Sequence, residues 1–278
     1  MPAAVLAAVL CAALLHAAWN AAIKREPDKL LASCAVTTGA AVLGACALPL
    51  LPAPAGASWP FLAASSLLQV AYYLLLARTY GETDISLAYP LMRGGAPVLV
   101  ALVLALFGAE PLDPAQCLAI ALVCAGGAVT CLGGGLRAAR GAAAPALLTA
   151  AVIAAYTLVD GLGVRRSGAP AAYTAWLFLL TGLGVPLACR ARLGGRLPGY
   201  LAARPLLALL GGAATGGSYG IALWAMTLAP VAVVAALRET SIVFAVAIAA
   251  WGLRERVGRA RVAGAALIAC GAAALRLA

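Results

Sequence analysis

Two stretches of the sequence share the same length, the same charged ends and a mostly apolar interior. Residues 93–110 read RGGAPVLVALVLALFGAE, and residues 238–255 read RETSIVFAVAIAAWGLRE. In both, an arginine is followed 17 residues later by a glutamate. A run of about 20 mostly apolar residues is the length of one helical crossing of a lipid bilayer. The pair therefore predicts membrane-spanning helices, and their likeness indicates an internal repeat.

The composition of the whole chain points to the same class. Of 278 residues, 65% are hydrophobic and 10% are charged, against about 25% charged residues in soluble proteins. So few charges cannot cover the surface of a soluble domain, and disordered chains have the opposite composition. The eight cysteines lie in apolar stretches without a C-x-x-C pair, so we interpret them as packing residues. We predict a polytopic membrane protein.

Breaks rich in charge, proline or glycine divide the chain into ten predicted spans. These runs are too long for the strands of a membrane barrel, about 10 residues each, and they do not alternate in polarity. The predicted fold class is therefore all-α, with ten transmembrane helices. Charges follow the first run rather than precede it, so we interpret it as a span and not as a signal peptide. The spans are 3–23, 30–51, 60–80, 86–107, 115–135, 145–164, 171–190, 204–225, 231–251 and 260–277.

The distribution of Lys and Arg predicts the orientation. Of 19 such residues, 14 fall in or beside the loops after odd-numbered spans, and three fall on the other face. Cytoplasmic loops of membrane proteins are enriched in these residues. We expect odd-numbered loops in the cytoplasm, both termini outside, and a location in the cell (inner or plasma) membrane. The net charge of +10 is then a topology signal, and no soluble basic surface for nucleic acid is expected.

The repeat extends beyond the two quoted stretches. At an offset of 145 residues, Gly126 also corresponds to Gly271, and at an offset of 140, His16, Asn20 and Arg25 correspond to Tyr156, Asp160 and Arg165. The halves predicted from this are residues 1–136 and 145–278, with five helices each. With an odd number of spans per half, the second half enters the membrane from the opposite side. The sequence therefore predicts an inverted repeat, which is typical of secondary transporters with a site near the midplane.

These features resemble the EamA family of the drug/metabolite transporter superfamily. The resemblance rests on the ten spans in two halves, on two motifs, and on Glu110 and Glu255 after the fourth and ninth spans. The motifs are His16-Ala17-Ala18-Trp19-Asn20 and Tyr89-Pro90-Leu91-Met92-Arg93-Gly94. The resemblance covers essentially the whole chain. It implies export or uptake of small metabolites by alternating access, without specifying the substrate.

Two arginines lie inside predicted spans, where a charge defaults to a functional hypothesis. Arg93 and Arg238 each lie about eight residues, or about 12 Å, into a helix, and the inverted repeat predicts that they enter from opposite faces. We expect them to bracket a central cavity and bind substrate. Tyr89 and Pro97 share a helix face with Arg93, and Pro97 favours a kink. The alternative is that the arginines snorkel or hold neighbouring helices.

Polar residues in the first and sixth spans complete the candidate site. His16 and Asn20 are four residues apart, as are Tyr156 and Asp160, so each pair shares a helix face. We interpret His16, Asn20 and Tyr156 as substrate-binding residues. Asp160 is a candidate proton-coupling group; its alternative role is an interfacial residue satisfied by water or by nearby arginines. For His16 the alternative is a packing residue.

Three glutamates have predicted roles at the helix ends or in the ninth span. Glu239 is a second candidate coupling group; it either neutralises Arg238 or pairs across helices, because adjacent helical residues point about 100° apart. Glu110 and Glu255 are predicted to cap helices or to form gate salt bridges. Six aromatic residues are interpreted as core or interface residues, with a cavity wall as the alternative: Tyr72, Tyr73, Tyr173, Trp176, Tyr219 and Trp224.

The favoured function is a secondary transporter of small polar metabolites that are anionic or zwitterionic and amino-acid-like, with proton coupling as an option. The alternative is a translocator of lipid or lipid-linked head groups. An intramembrane enzyme ranks lower because no H-E-x-x-H motif is present, and a non-transporting membrane regulator also ranks lower. No Walker motif is present, so direct drive by ATP is not expected. We expect no cofactor and no metal. The expected partners are a small-molecule substrate and the bilayer, and the expected state is a monomer or homodimer.

Overall fold

The computed structural model is all-helical throughout the part of the chain that it describes. It describes the backbone of residues 1–82, 85–107, 110, 112–132, 136–252 and 257–277, and the side chains of these residues except 77–91, 131–143 and 252. Within these ranges, eight helical stretches are long and apolar enough to cross a membrane. Two shorter apolar stretches, Met92–Leu106 and Pro114–Thr130, correspond to the predicted fourth and fifth spans.

Thirteen helical segments follow one another in the described ranges. Short 3₁₀ turns at Leu48–Leu50 and Gly56–Ser58 lie between the second and third of them. The helices are α1 (Ala3–Arg25), α2 (Lys29–Ala47), α3 (Trp59–Glu82), α4 (Ile85–Leu106), α5 (Pro114–Leu132), α6 (Leu136–Ser167), α7 (Pro170–Ala188), α8 (Arg190–Leu193), α9 (Arg196–Ala203), α10 (Pro205–Met226), α11 (Val231–Arg238), α12 (Thr240–Ala247) and α13 (Arg259–Leu277).

Two features of this list differ from the predicted spans. The predicted loop after the seventh span contains the short helices α8 and α9. The predicted ninth span is divided at Glu239 into α11 and α12, and a π-helical turn over Ile248–Gly252 follows. The division is slight, since Glu239 keeps right-handed helical angles, with φ −69° and ψ −14°. For that reason the periodicity of the sequence did not indicate it.

The distribution of polarity is the reverse of that in a soluble protein. Large apolar side chains cover the outside, and Leu67 and Leu118 are each 72% exposed. Several charged side chains instead lie inside, with Asp160 fully buried. An apolar exterior is stable in hydrocarbon and unstable in water. The chain is therefore a multi-pass membrane protein, as the composition predicted.

The helices of the described chain pack closely on one another. Helix α5 packs along α13, α2 packs along α7, and α1, α3, α6 and α10 lie among them. The contact between α5 and α13 depends on glycine: a Cβ atom on Gly126 would lie 2.7 Å from the Gly264 carbonyl oxygen, and one on Gly271 would lie 2.9 Å from that of Ala119. Small residues at such contacts let helix backbones approach closely within a membrane.

A polar cluster joins the α1–α2 loop to α9. The Asp28 carboxylate caps α2 by accepting from the Leu30 and Leu31 backbone N–H groups, and it pairs with Arg196 at 2.9 Å. Burial alone would raise the pKa of Asp28, but these hydrogen bonds and Arg196 lower it below its usual value. Tyr200 donates to Glu26 at 2.8 Å, so two loop carboxylates are held by this surface helix.

The glycine contact between α5 and α13 gives a direct test of the helix packing. We expect Gly271→Ala to lower the midpoint of thermal unfolding in detergent, because the added Cβ meets backbone and overpacking costs about 1–3 kcal/mol. Gly199→Ala is the matched control, since a Cβ there meets nothing within 4 Å. Equal midpoints for the two variants would show that the close contact does not limit stability.

Candidate functional site

A small polar cavity lies where six helices meet. Its walls come from α1, α3, α6, α7, α10 and α11, and its volume is about 30 Å³, which is room for about two water molecules. Most of the wall is aromatic, with a few polar groups. The lining residues are His16, Trp19, Gln69, Tyr72, Tyr73, Tyr156, Phe178, Thr215, Tyr219 and Arg238.

The Asp160 carboxylate lies behind this wall and is held by three side chains. Tyr219 donates to Oδ2 at 2.6 Å, Tyr173 donates to Oδ1 at 2.9 Å, and Gln69 donates to Oδ2 at 3.3 Å. Burial of an unpaired carboxylate is costly unless donors satisfy it. The interfacial alternative for Asp160 is therefore wrong, because the residue is fully buried and its partners are phenols and an amide rather than Arg165 or Arg166.

Arg238 presents the cationic group of the cavity. Its guanidinium carbon lies 4.8 Å from the centre of the Tyr219 ring, a distance at which a cation is attracted to the ring face. No salt bridge joins Arg238 to a carboxylate among the described side chains. Tyr219 thus links two charges, with Arg238 over its ring and Asp160 at its hydroxyl.

Arg93 is joined to the break between α11 and α12 instead of facing Arg238 across the cavity. Its Nη2 atom lies 2.9 Å from Glu239 Oε1 and donates to the Arg238 carbonyl oxygen at 3.3 Å. The expectation that the two arginines bracket the cavity is therefore wrong. About 12 Å of helix from either face nearly reaches the middle of a core about 30 Å thick, so long side chains there can meet.

Glu239 pairs across helices, as one of the two alternatives stated. Arg93 and Glu239 are 5% and 3% exposed, so their ion pair is buried. Mutual attraction and hydrogen bonding offset part of the cost of burying two charges. Neither residue lines the polar cavity, so among the described residues Arg238 is the arginine that does.

The first helix supplies donors to the same cavity. His16 and Trp19 are buried, their rings meet edge to face at 5.2 Å, and both line the cavity. Among the described residues, the buried Trp19 Nε1–H group has no hydrogen-bond partner, which is unusual for a buried donor. Asn20 donates to the His16 carbonyl oxygen at 2.8 Å and lies outside the cavity lining.

Glu110 and Arg165 form a polar cluster at the opposite end of the fold from Asp28. Arg165 contacts Glu110 Oε1 at 2.6 Å and donates to the carbonyl oxygens of Met226 and Ala229 at 2.7 and 3.0 Å. Glu110 Oε2 accepts from the Val231 N–H at 2.7 Å. Glu110 therefore both caps α11 and forms a salt bridge.

The roles of Tyr89, Glu255 and Pro97 stay predictions, as do the binding and coupling roles of the other site residues. The Tyr89 side chain and Glu255 lie outside the described residues. Pro97 is buried within α4, and its role as a kink or gate stays a prediction.

Sequence reasoning missed two polar residues of the cavity, Gln69 and Thr215. Gln69 follows Ser65 by four residues in an otherwise apolar span and is hydrogen-bonded to it at 3.5 Å. That i, i+4 polar stripe was a usable signal for Gln69. Among the six aromatic residues, Tyr72, Tyr73 and Tyr219 line the cavity.

Comparison with known proteins agrees with this membrane fold. A crystal structure described only as "Crystal structure of protein" matches with a TM-score of 0.74 and 18% sequence identity, covering 100% of this chain and 98% of that chain. At this identity the likeness shows the fold alone. No curated protein matches the sequence. The model of the EamA-like transporter family matches residues 142–277. These residues are an EamA-like transporter domain of the drug/metabolite transporter superfamily, and that family consists of membrane transporters and not of enzymes.

Proposed function

We propose that the protein is a secondary transporter that moves small anionic or zwitterionic metabolites, amino-acid-like in size and charge, by alternating access. The observation that carries the substrate class is the Arg238 guanidinium, which lines the cavity without a carboxylate partner among the described side chains. A substrate anion would supply that partner. Asp160 and Glu239 are the candidate proton-coupling groups in this proposal.

Alternating access requires two halves that exchange conformations, and residues 1–136 and 145–278 are the proposed inverted repeats. The contacts of α5 with α13 support a two-fold relation. Gly126 abuts Gly264, Gly271 abuts Ala119, and both Gly126 with Gly271 and Ala119 with Gly264 are 145 residues apart. Exchange of the two halves thus maps one contact onto the other.

Helix pairing supports the same relation. Helices α2 and α7 are proposed equivalents and pack on each other, as do α5 and α13. The pairing of α1 with α10 has its proposed counterpart in that of α6 with α3. Arg93 also hydrogen-bonds the backbone of its equivalent, Arg238. Sites of inverted-repeat transporters lie at such an interface.

The donors around the cavity favour an anionic group. The cationic Arg238, the unpartnered Trp19 Nε1–H and His16 converge there, and charge-assisted hydrogen bonds to carboxylate-like groups are stronger than neutral ones. A zwitterion's ammonium group would be directed to Asp160, which lies one phenol away behind Tyr219. Aromatic walls with few polar groups are common in small-molecule sites.

The Glu110–Arg165 cluster is the proposed gate on one face. It ties the segment after α4 to the end of α6 and to the loop before α11. With odd-numbered loops in the cytoplasm, this face is the outer one. Access from that side would require these contacts to separate.

A second candidate function is translocation of lipid or lipid-linked head groups. The observation that favours it is an apolar groove of about 700 Å³ between α2, α7 and α10, whose walls are residues of those helices and of the connections beside them. A head-group translocator requires a lateral opening of this kind. Transport of amphiphiles without any transport of water-soluble metabolites would favour this function over the first.

The substrate class can be tested with proteoliposomes and a panel of radiolabelled amino acids and small organic anions. We expect wild-type protein to transport at least one of them, and Arg238→Gln to reduce that rate about 10- to 100-fold, because a hydrogen bond to a charged group contributes about 1.5–3 kcal/mol. Arg276→Gln, at an exposed position near the end of α13, is the control. Wild-type rates in a folded Arg238→Gln variant would contradict the proposal.

The gate can be tested by replacing Arg165 with lysine. Lysine lacks the planar fork that reaches Glu110 and two carbonyls together, so we expect the outer face to open more often. In a cysteine-free background with Tyr156→Cys, a membrane-impermeant maleimide added from that face should react several-fold faster. Arg166→Lys is the neighbouring control, and an unchanged reaction rate in Arg165→Lys would exclude a gating role.

A further inference from the structure

The apolar groove and the polar cavity share a wall. The groove is lined by residues 40–47 of α2, 170–178 of α7 and 213–224 of α10, with Leu51 after α2. Apart from the hydroxyl of Thr174 and the indole N–H of Trp224, the described residues that line it have apolar side chains or none. Because these helices span the membrane, the groove is surrounded by hydrocarbon rather than by water.

Helix α10 presents a different chemistry to each side. Thr215 and Tyr219 line the polar cavity, whereas Gly216 and Gly220 line the groove. Each pair is four residues apart and shares a face, and the two faces differ by one residue, or about 100°. The absence of side chains at the two glycines creates space directly beside the binding residues.

Phe178 of α7 separates the two spaces. Among the described residues, Phe178 alone lines both the groove and the cavity. Its ring packs edge to face on Tyr219 at 6.2 Å, and its Cδ2 atom would lie 4.0 Å from a Cβ atom on Gly216. Rotation of this one side chain away from Tyr219 would join the cavity to the groove.

The two volumes make this passage relevant to substrate size. The cavity is about 30 Å³ and the groove about 700 Å³. Any ligand larger than about two water molecules must displace a wall of the cavity, and the wall at Phe178 opens onto space that is already present. That space is apolar, and the cavity beside it carries Arg238. The pair is thus complementary to a molecule with an anionic head and an apolar chain.

We propose that the groove is the subsite for the apolar chain of a transported amphiphile whose anionic head lies at Arg238, with Phe178 rotating to admit the chain. This rests on the anion site proposed above and extends it, because it assigns the substrate an alkyl or aryl substituent. Bilayer lipid resting in the groove without a head at Arg238 is the competing occupant.

The test uses n-alkyl sulfonates of two, four, six and eight carbons, which keep one negative charge at all accessible pH values. Binding to the full chain in lipid nanodiscs is measured by calorimetry, with empty nanodiscs subtracted. For wild type we expect the Kd to fall about fourfold per added methylene, the value of burying each in an apolar site. Gly216→Leu should abolish this dependence and leave ethanesulfonate binding unchanged.

Two further variants keep the outcome decisive. Ala213→Leu fills the groove from an exposed position of α10 and serves if Gly216→Leu fails to fold. Gly199→Leu, outside the groove, should keep the wild-type dependence. Arg238→Gln should weaken binding of every chain length by the same factor, which tests the anion site separately.

Each result has one meaning. A wild-type Kd that does not change with chain length, as expected if bilayer lipid fills the groove, overturns the subsite while leaving the anion site intact. A chain-length dependence that persists in both groove-filling variants also overturns it. Failure of every sulfonate to bind wild type contradicts the anion site and the subsite together.

Discussion

The ion pair between Arg93 and Glu239 is the constraint on which the proposed site depends. A charge inside the bilayer costs at least a few kcal/mol, so it requires a partner or a polar environment. By pairing with Arg93 at 2.9 Å, Glu239 is not the salt-bridge partner of its neighbour Arg238. The same arginine also donates to the Arg238 carbonyl oxygen, which holds that backbone where the ninth span divides. The cavity therefore retains a guanidinium without a carboxylate partner among the described side chains, which is the group that the proposed substrate anion would satisfy.

Helix α10 connects this electrostatic arrangement to the shape of the site. Its Tyr219 contacts the guanidinium with its ring and the Asp160 carboxylate with its hydroxyl. On the adjacent face of the same helix, Gly216 and Gly220 leave space for a lateral groove toward hydrocarbon. In the proposed site, recognition of the charge and accommodation of the apolar chain therefore lie on adjacent faces of one helix, with Phe178 between them. Movement of α10 would alter both together, which suits a transporter that must release what it binds.

Much of the fold followed from elementary properties of the sequence, whereas the partners inside it did not. Span length and charge scarcity predicted the helices because hydrocarbon admits only segments that satisfy their own backbone. The repeat of Arg93 and Glu110 in Arg238 and Glu255 predicted related halves, and this relation remains a proposal. Periodicity carries no information on which side chains meet across helices. For that reason the prediction that the two arginines bracket the cavity was wrong, and so was the interfacial alternative for Asp160. The contribution of Gln69 to the cavity was missed for the same reason. Helices α8 and α9 were missed because their short, charged sequence resembles a loop.

The most direct measurement of the central claim is a double-mutant cycle on thermal unfolding in detergent, with Arg93 and Glu239 each replaced by methionine. Removing one member leaves an uncompensated buried charge, whereas removing both leaves none. The predicted result is that each single variant lowers the unfolding midpoint more than the double variant does. A parallel cycle for Arg238 and Glu239 should show at most half that coupling. Coupling of Glu239 to Arg238 as strong as its coupling to Arg93 would contradict the claim that Arg238 is left for the substrate.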